Sequence, residues 1–213
     1  MITQEFIQQA VDNAVAGKSN LTPEILAVQG FSTPTIRRLF NNLCNIEGTY
    51  LEIGLFCGAS FTSSFNPNCV AIGVEDHSQD FSAGFDEVKK QLKDNVEQFK
   101  DRAKEVKVHY ADCFAMDKSV LPDNIDIYSY DGWHDEEKQY KAIVEYFDKM
   151  ADRFVLLVDD TSWDIVAKGT DRALIELKDK IEIEKIWVLR GYNLQNDPIW
   201  HNGVNIYLIN KKK

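Results

Sequence analysis

The chain has 213 residues, 44% hydrophobic and 27% charged, with a formal net charge of −10. That is enough for one domain with a substantial core and too little for two full ones, and a chain this acidic is a poor general binder of phosphate backbones, so no nucleic-acid partner is expected. No apolar run approaches membrane-spanning length, the start Met1-Ile2-Thr3-Gln4-Glu5 lacks the pattern of a secretion signal, and the dispersed cysteines Cys44, Cys57, Cys69 and Cys113 suit reduced thiols, so the expected setting is cytoplasmic with no membrane partner.

Residues 1–48 read as an N-terminal helical arm. Phe6, Ile7, Ala10, Val11, Ala14 and Val15 recur at helical spacing, and Gly17 closes that helix. Thr22-Pro23 and Thr33-Pro34 each set a capping hydroxyl before a proline, which starts a helix. Ile36, Leu39, Phe40 and Leu43 then form an apolar stripe that must bury on the body, where the arm can also serve as a lid. Arg37 and Arg38 are expected on a solvated face of that helix.

Residues 49–213 alternate strand and helix. Stretches 50–54, 70–74, 106–110, 125–130 and 154–158 predict five strands. Phe85, Val88, Leu92, Val96, Phe99 and Ala103 mark one helix, Tyr140, Ile143, Val144 and Phe147 a second, and Leu174, Leu177 and Ile181 a third. Two further β-like runs, 186–189 and 204–209, suggest an antiparallel pair at one end of the sheet. The class is α/β, a doubly wound, mostly parallel sheet covered on both faces. Ligands in such sheets sit beyond the carboxyl ends of the strands.

The residues just past those strand ends are polar. Glu52-Ile53-Gly54-Leu55-Phe56-Cys57-Gly58-Ala59-Ser60 follows the first strand. Its spacing, Gly54-x-x-x-Gly58, departs from the G-x-G-x-x-G of dinucleotide sites, which disfavours a nicotinamide dehydrogenase. A carboxylate at Glu52 repels a pyrophosphate and suits a ligand with a free ammonium, such as the methionine part of S-adenosylmethionine. Glu75-Asp76 ends the second strand, about twenty positions on, where a carboxylate accepts both ribose hydroxyls. Asp112-Cys113 follows the third, where a carboxylate can take an adenine amino group.

The run Leu51-Glu52-Ile53-Gly54-Leu55-Phe56-Cys57-Gly58-Ala59-Ser60 resembles the first motif of class I S-adenosylmethionine-dependent methyltransferases, closest to the catechol O-methyltransferase type. The resemblance implies a Rossmann-like, seven-stranded sheet with an antiparallel last strand. It also implies that Glu52 and Ser60 hold the amino-acid end of the cofactor around Gly54, Phe56 and Gly58. Glu75 would take the ribose, Asp112 with Cys113 the adenine edge, and the Trp133 indole would lie by the adenine ring.

Asp131-Gly132-Trp133-His134 ends the fourth strand and Asp159-Asp160 the fifth. Three clustered carboxylates repel one another unless a cation joins them, and Asp131, Asp159 and Asp160 suit Mg²⁺ or Mn²⁺. Such an ion activates a hydroxyl, and His134 on the same loop can accept the proton, so Asp131 and His134 are the catalytic candidates. Metal-dependent O-methyltransferases are similar here, although the catechol type has lysine in place of His134 and asparagine in place of Asp160; antibiotic-sugar methyltransferases look closer, with paired aspartates. The expected reaction is metal-assisted O-methylation of a small molecule or sugar, with metal-independent N- or O-methylation, or cofactor binding without catalysis, as alternatives. Trp163, Trp200 and His201 are candidates for the substrate pocket, and an exposed aromatic such as Trp200 leaves a homo-oligomer open.

Overall fold

The computed structural model describes residues 2–78, 85–191 and 199–212. Helix α1 (Gln4–Val15) is capped by Thr3, whose hydroxyl accepts the Phe6 N–H, and α2 (Pro23–Leu26) and α3 (Pro34–Leu43) both start on the expected prolines. Then follow β1 (Gly48–Ile53), α4 (Ala59–Ser63), β2 (Cys69–Val74), α5 (Phe85–Phe99), β3 (Glu105–His109) and β4 (Ile125–Tyr130). The chain continues through α6 (Glu136–Tyr146), β5 (Met150–Val158), α7 (Asp164–Leu177), β6 (Ile181–Leu189) and β7 (Val204–Lys211).

The strands form one seven-stranded sheet in the order β3-β2-β1-β4-β5-β7-β6. Pairs among β1 to β5 are parallel, and β7 runs antiparallel to both β5 and β6. This is the doubly wound, Rossmann-like arrangement. Alternate residues of each strand feed two apolar layers. In one, Tyr50, Ala71, Ile127 and Val155 meet Ile7, Ile36, Leu39 and Phe40 of the arm with Phe61 and Leu92. In the other, Leu51, Ile72, Tyr128 and Leu156 meet Ile143 and Tyr146 of α6 and Val166 and Ala173 of α7. The arm therefore completes one core layer. The four cysteines are free thiols, and among the described residues no helix is long and apolar enough to cross a membrane.

Four expectations are corrected. Ile181 opens β6 instead of closing the third body helix, because α7 ends at Leu177 and Ile181 pairs with Lys211. Strand β5 begins at Met150, not at 154; its polar first half is held by pairing such as Arg153 with Asn210, which side-chain periodicity does not report. Trp200 is half-buried and packs against the arm-side core.

Arg37 lies inside the protein, not on a solvated face: it is 3% exposed. Its Nε donates to Ser63 Oγ at 2.9 Å, Nη1 to the carbonyls of Leu26 and Val28 at 2.9 and 3.1 Å, and Nη2 to the Ile25 carbonyl. Burial pushes the guanidinium down to about 10, so it stays charged at neutral pH. The fan of donors fixes the turn after α2, which leads into residues 30–32. Arg37→Leu leaves three carbonyls without their donor and is expected to cost about 3 kcal/mol in urea unfolding; a loss under 1 kcal/mol would show that water replaces the guanidinium.

Candidate active site

The loops after β1 to β5, with Gly30-Phe31-Ser32 of the arm and His201-Asn202 before β7, enclose a cavity of about 1000 Å³. That is at the upper end for small-molecule sites and leaves room for a nucleoside and a second molecule together.

The wall begins at the glycine loop. Gly54 has φ +87 and its N–H donates to Val74 O, while Asp131 N–H donates to Ile53 O at 2.7 Å. The ends of β1 and β4 thus pass in backbone contact, and a Cβ on Gly54 would stand 2.2 Å from Asp131 O. Gly58, at φ +85, turns the chain into α4 and lies behind the wall. Phe56 lines the cavity at φ 49, its ring 5.2 Å from that of Phe31.

Glu75 braces this loop from β2. One carboxylate oxygen accepts the N–H groups of Leu55 and Phe56 at 2.7 and 2.9 Å, and the other accepts that of His77 at 2.7 Å. Asp76 accepts from Ser78 N–H and Asp112 from Phe114 N–H, each at 2.8 Å, and both line the cavity with Glu75 and Cys113. The Tyr146 hydroxyl donates to Cys113 O at 2.7 Å and anchors that loop to α6. Trp133 also lines the cavity; its Nε1–H donates to Ser78 Oγ at 3.1 Å, and the Lys138 ammonium sits 4.1 Å from its ring centroid. Because β1 lies between β2 and β4, this bond spans the glycine loop and joins the two flanking loops over it.

Glu52 is placed differently from its neighbours in the motif. It is 0% exposed and off the cavity wall, accepting hydrogen bonds from the Tyr50 hydroxyl at 2.6 Å and from Ser60. Ser60 does line the cavity, so Glu52 reaches it only through that hydroxyl. Burial pushes the Glu52 carboxyl up to about 8, against the pull of Ser60 and Tyr50. An acid whose folded pKa is raised lends stability that is complete below its unfolded value and lost as pH rises through the folded one. Relative to Glu52→Gln, the wild type should therefore lose unfolding free energy between pH 4.5 and 8 and level off above; a difference constant with pH in urea titrations would contradict the raised value.

At the ends of β4 and β5, His134 Nε2 lies 3.3 Å from Asp131 Oδ1 and 2.8 Å from Asp160 Oδ2. Burial opposes charge on the imidazole, but the two carboxylates prevail and push it up to about 10. In the ligand-free site the two carboxylates thus favour the protonated imidazole as their counter-ion. Burial raises the Asp131 carboxyl, with His134 pulling the other way. Burial likewise opposes ionisation of Asp160, yet His134 and Asn202 hold it below the usual carboxylate range. Asp159 is raised well above that range by burial and by the charges of Asp131 and Asp160. Its Oδ1 accepts the Asp160 N–H at 2.9 Å.

Of the three expected metal ligands, Asp131 and Asp160 converge with His134, the ligand atoms lying within 4.8 Å of one another; Asp159 lines the cavity beside them but is not in that group. Trp163 and His201 line the cavity, whereas Trp200 does not. Asn202, Ser78, Tyr50, Lys138 and the 30–32 segment were not singled out in the sequence. Ser78 had a local signal in its place just after Glu75-Asp76, and Tyr50 in its strand spacing, two residues from Glu52; Asn202 and the 30–32 segment are recruited by tertiary contacts.

No protein-family model matches the chain, and no curated protein does. Solved structures do. The chain is similar to an O-methyltransferase from Bacillus cereus in complex with SAH, at 12% identity and TM-score 0.63, covering 98% of this chain and 92% of the other. A putative O-methyltransferase from Klebsiella pneumoniae matches at 11% identity and TM-score 0.59, covering 99% and 92%. The B. subtilis m1A22 tRNA methyltransferase TrmK matches at 12% identity and TM-score 0.52, covering 92% and 68%. At such identities the likeness is one of fold: the chain has the Rossmann-like fold of these methyltransferases.

Proposed function

We propose that the chain is an S-adenosylmethionine-dependent methyltransferase that methylates a hydroxyl of a small molecule or sugar. The carrying observation is that the glycine loop, Glu75, Asp112 and Asp131, from four neighbouring strands, open into one cavity. In this reading Ser60, backed by Glu52, takes the cofactor's amino-acid end. Glu75 takes the ribose with oxygens already oriented by three backbone donors, and Asp112 and Cys113 meet the adenine beside Trp133. The net charge of −10 and the acidic wall favour a neutral or cationic acceptor over a nucleic acid.

The acceptor oxygen attacks the methyl carbon in line, the carbon–sulfur bond breaks, and the cofactor leaves as neutral S-adenosylhomocysteine. The hydroxyl proton has to go to the protein. The two carboxylates favour the protonated form of His134, so we assign the acceptor role to Asp131, which His134 orients and whose affinity for a proton burial raises. Positive charge on sulfur fades as the bond breaks, so a wall that excludes water favours the step.

The site also fits a divalent cation in reach and donor type: Asp131, Asp160 and His134 would hold it, with Asp159 adjacent. When bound, such an ion lowers the pKa of a coordinated hydroxyl. A metal-free form is favoured by one observation, that His134 Nε2 lies between Asp131 and Asp160 at 3.3 and 2.8 Å, where a protonated ring would balance their charge.

Calorimetric titration with S-adenosylhomocysteine tests the cofactor claim, with one site per chain expected. Methyl release over a panel of hydroxylated acceptors, with and without chelator, tests the reaction and its metal. Absence of S-adenosylhomocysteine binding would sink the proposal, and activity untouched by chelator would leave His134 as the cation of the site.

A further inference from the structure

We propose that strand β6 is the contact surface of a two-fold dimer, in which it pairs antiparallel with β6 of a second copy of this chain.

Strand β6 closes one margin of the sheet and β3 the other. One face of β6 is covered. Trp187 and Leu189 turn to the arm-side layer. Trp187 Nε1–H donates to Gln8 Oε1 at 2.9 Å and Gln4 Nε2–H to Glu184 Oε1 at 2.7 Å, so α1 lies along that face. The other face is bare. Ile183 and Ile186 stand opposite Ile209 and Tyr207, which are buried in the layer beneath α6 and α7, and Val188 continues the row. The helices stop short of β6: Ile183, Ile186 and Val188 are 37%, 44% and 55% exposed, against 1% and 6% for Ile209 and Tyr207.

The opposite margin shows the contrast. On β3, Val106 and Val108 turn to the arm-side layer, so Glu105, Lys107 and His109 occupy the other face, with Glu105 and Lys107 joined at 2.9 Å. Charges on a marginal strand oppose pairing with another chain. On the same face of the sheet β6 carries three β-branched apolar side chains instead. Its bulge between Ile183 and Lys185 ends the regular ladder on one side and leaves Lys185–Leu189 as the stretch that can pair.

The strand's own sequence selects the occupant. Glu182 and Glu184 mark its beginning and Arg190 follows its end. Glu182 and Arg190 are both exposed and have no ion pair among the described residues. An antiparallel copy brings the Arg190 end of each chain to the acidic end of the other. Residues directly opposite in such a pair share a face. With the axis at Trp187, Ile186 meets Val188 of the copy and Val188 meets Ile186, so apolar lies on apolar between the charged ends. Lys185 stays on the covered face, its ammonium 4.5 Å from the Trp187 ring centroid. A two-fold contact of this kind is self-complementary and closed, so it stops at two chains.

Sedimentation velocity of the intact chain reads the assembly directly. One strand pair with an apolar row is small for an interface, so the 24.4 kDa monomer is expected to convert to a species of twice that mass between ~1 and ~200 µM. Val188→Lys and Ile186→Lys alter exposed positions and should each raise the midpoint at least about tenfold, with thermal melts close to wild type. Arg190→Glu should raise it about fivefold, and Glu182→Arg added to the same chain should restore it. A chain that stays monomeric across the range overturns the proposal and leaves the bare face to a different protein. A dimer that both lysine variants leave intact overturns it too, and failure of the charge swap to restore pairing overturns the antiparallel arrangement. Should the lysine variants unfold, amide exchange of the wild type at the two ends of the range decides: protection of Lys185–Leu189 that rises with concentration is expected, and unchanged protection refutes the contact.

Discussion

Replacing Gly54 with alanine is expected to abolish S-adenosylhomocysteine binding, weakening it by at least about a hundredfold, and to lower thermal stability as well. Two costs combine. The residue sits at φ +87, where an L side chain is strained. Its new Cβ would also meet Asp131 O at 2.2 Å, Asp131 C at 2.5 Å and Gly132 N at 2.7 Å. All three are backbone atoms of the β4 end, so no rotamer relieves the contact. The β4 loop must retreat, taking Asp131 and Trp133 with it, and the hold of Trp133 on Ser78 over the glycine loop is lost. Gly17→Ala is the control: its φ is +72 and nothing lies within 4 Å of the added Cβ, so it carries the conformational cost alone, about 1 kcal/mol. Calorimetry and thermal melts of the two variants separate the terms. Equal melting losses, with binding retained in Gly54→Ala, would show that the loop is not the cofactor cradle.

Asp131→Asn is expected to reduce methyl release by about 10² to 10⁴, the range for loss of a positioned proton acceptor, with S-adenosylhomocysteine affinity changed by less than about tenfold. The amide cannot take the hydroxyl proton. It also removes one of the two carboxylates that hold the His134 charge, so His134 loses part of its raised pKa. The loss should fall on kcat and on kcat/KM alike, since the missing interaction belongs to the transition state. A variant that keeps kcat but raises KM would place Asp131 in binding alone and return the proton to another group.

The fold was largely legible because its signals are local. Runs such as Val70-Ala71-Ile72-Gly73-Val74 are buried strands by apolar content alone, and Thr33-Pro34 states where α3 begins. Boundaries were less so: Ala151-Asp152-Arg153 looks like a loop and belongs to a strand that pairs at Met150 with Ile125 of β4 and from Arg153 onward with β7. The site was legible as residue types beyond strand ends, which placed Glu75, Asp112, Asp131 and Asp160 on one cavity. What it could not supply was the pairing among them. His134 meets Asp160, and Glu52 turns inward to Ser60 across the glycine loop, through contacts that spacing does not report, whereas its bond from Tyr50, two residues back on the same strand face, follows strand periodicity. Arg37 is the clearest case, since nothing local distinguishes it from Arg38, and only the carbonyls exposed by the turn after α2 draw it inside.

The placement of the last strand carries a consequence for assembly of the chain. Strand β6 has β7 as its partner and stands at the margin of the sheet, so it has no seat until Val204–Lys211 arrives. The two must therefore join as a unit, and a polypeptide shortened before Val204 forfeits both. Such a fragment leaves Met150–Val158 with an open row of amide and carbonyl groups, and its fate is to adhere to other fragments like itself instead of settling into a smaller native form.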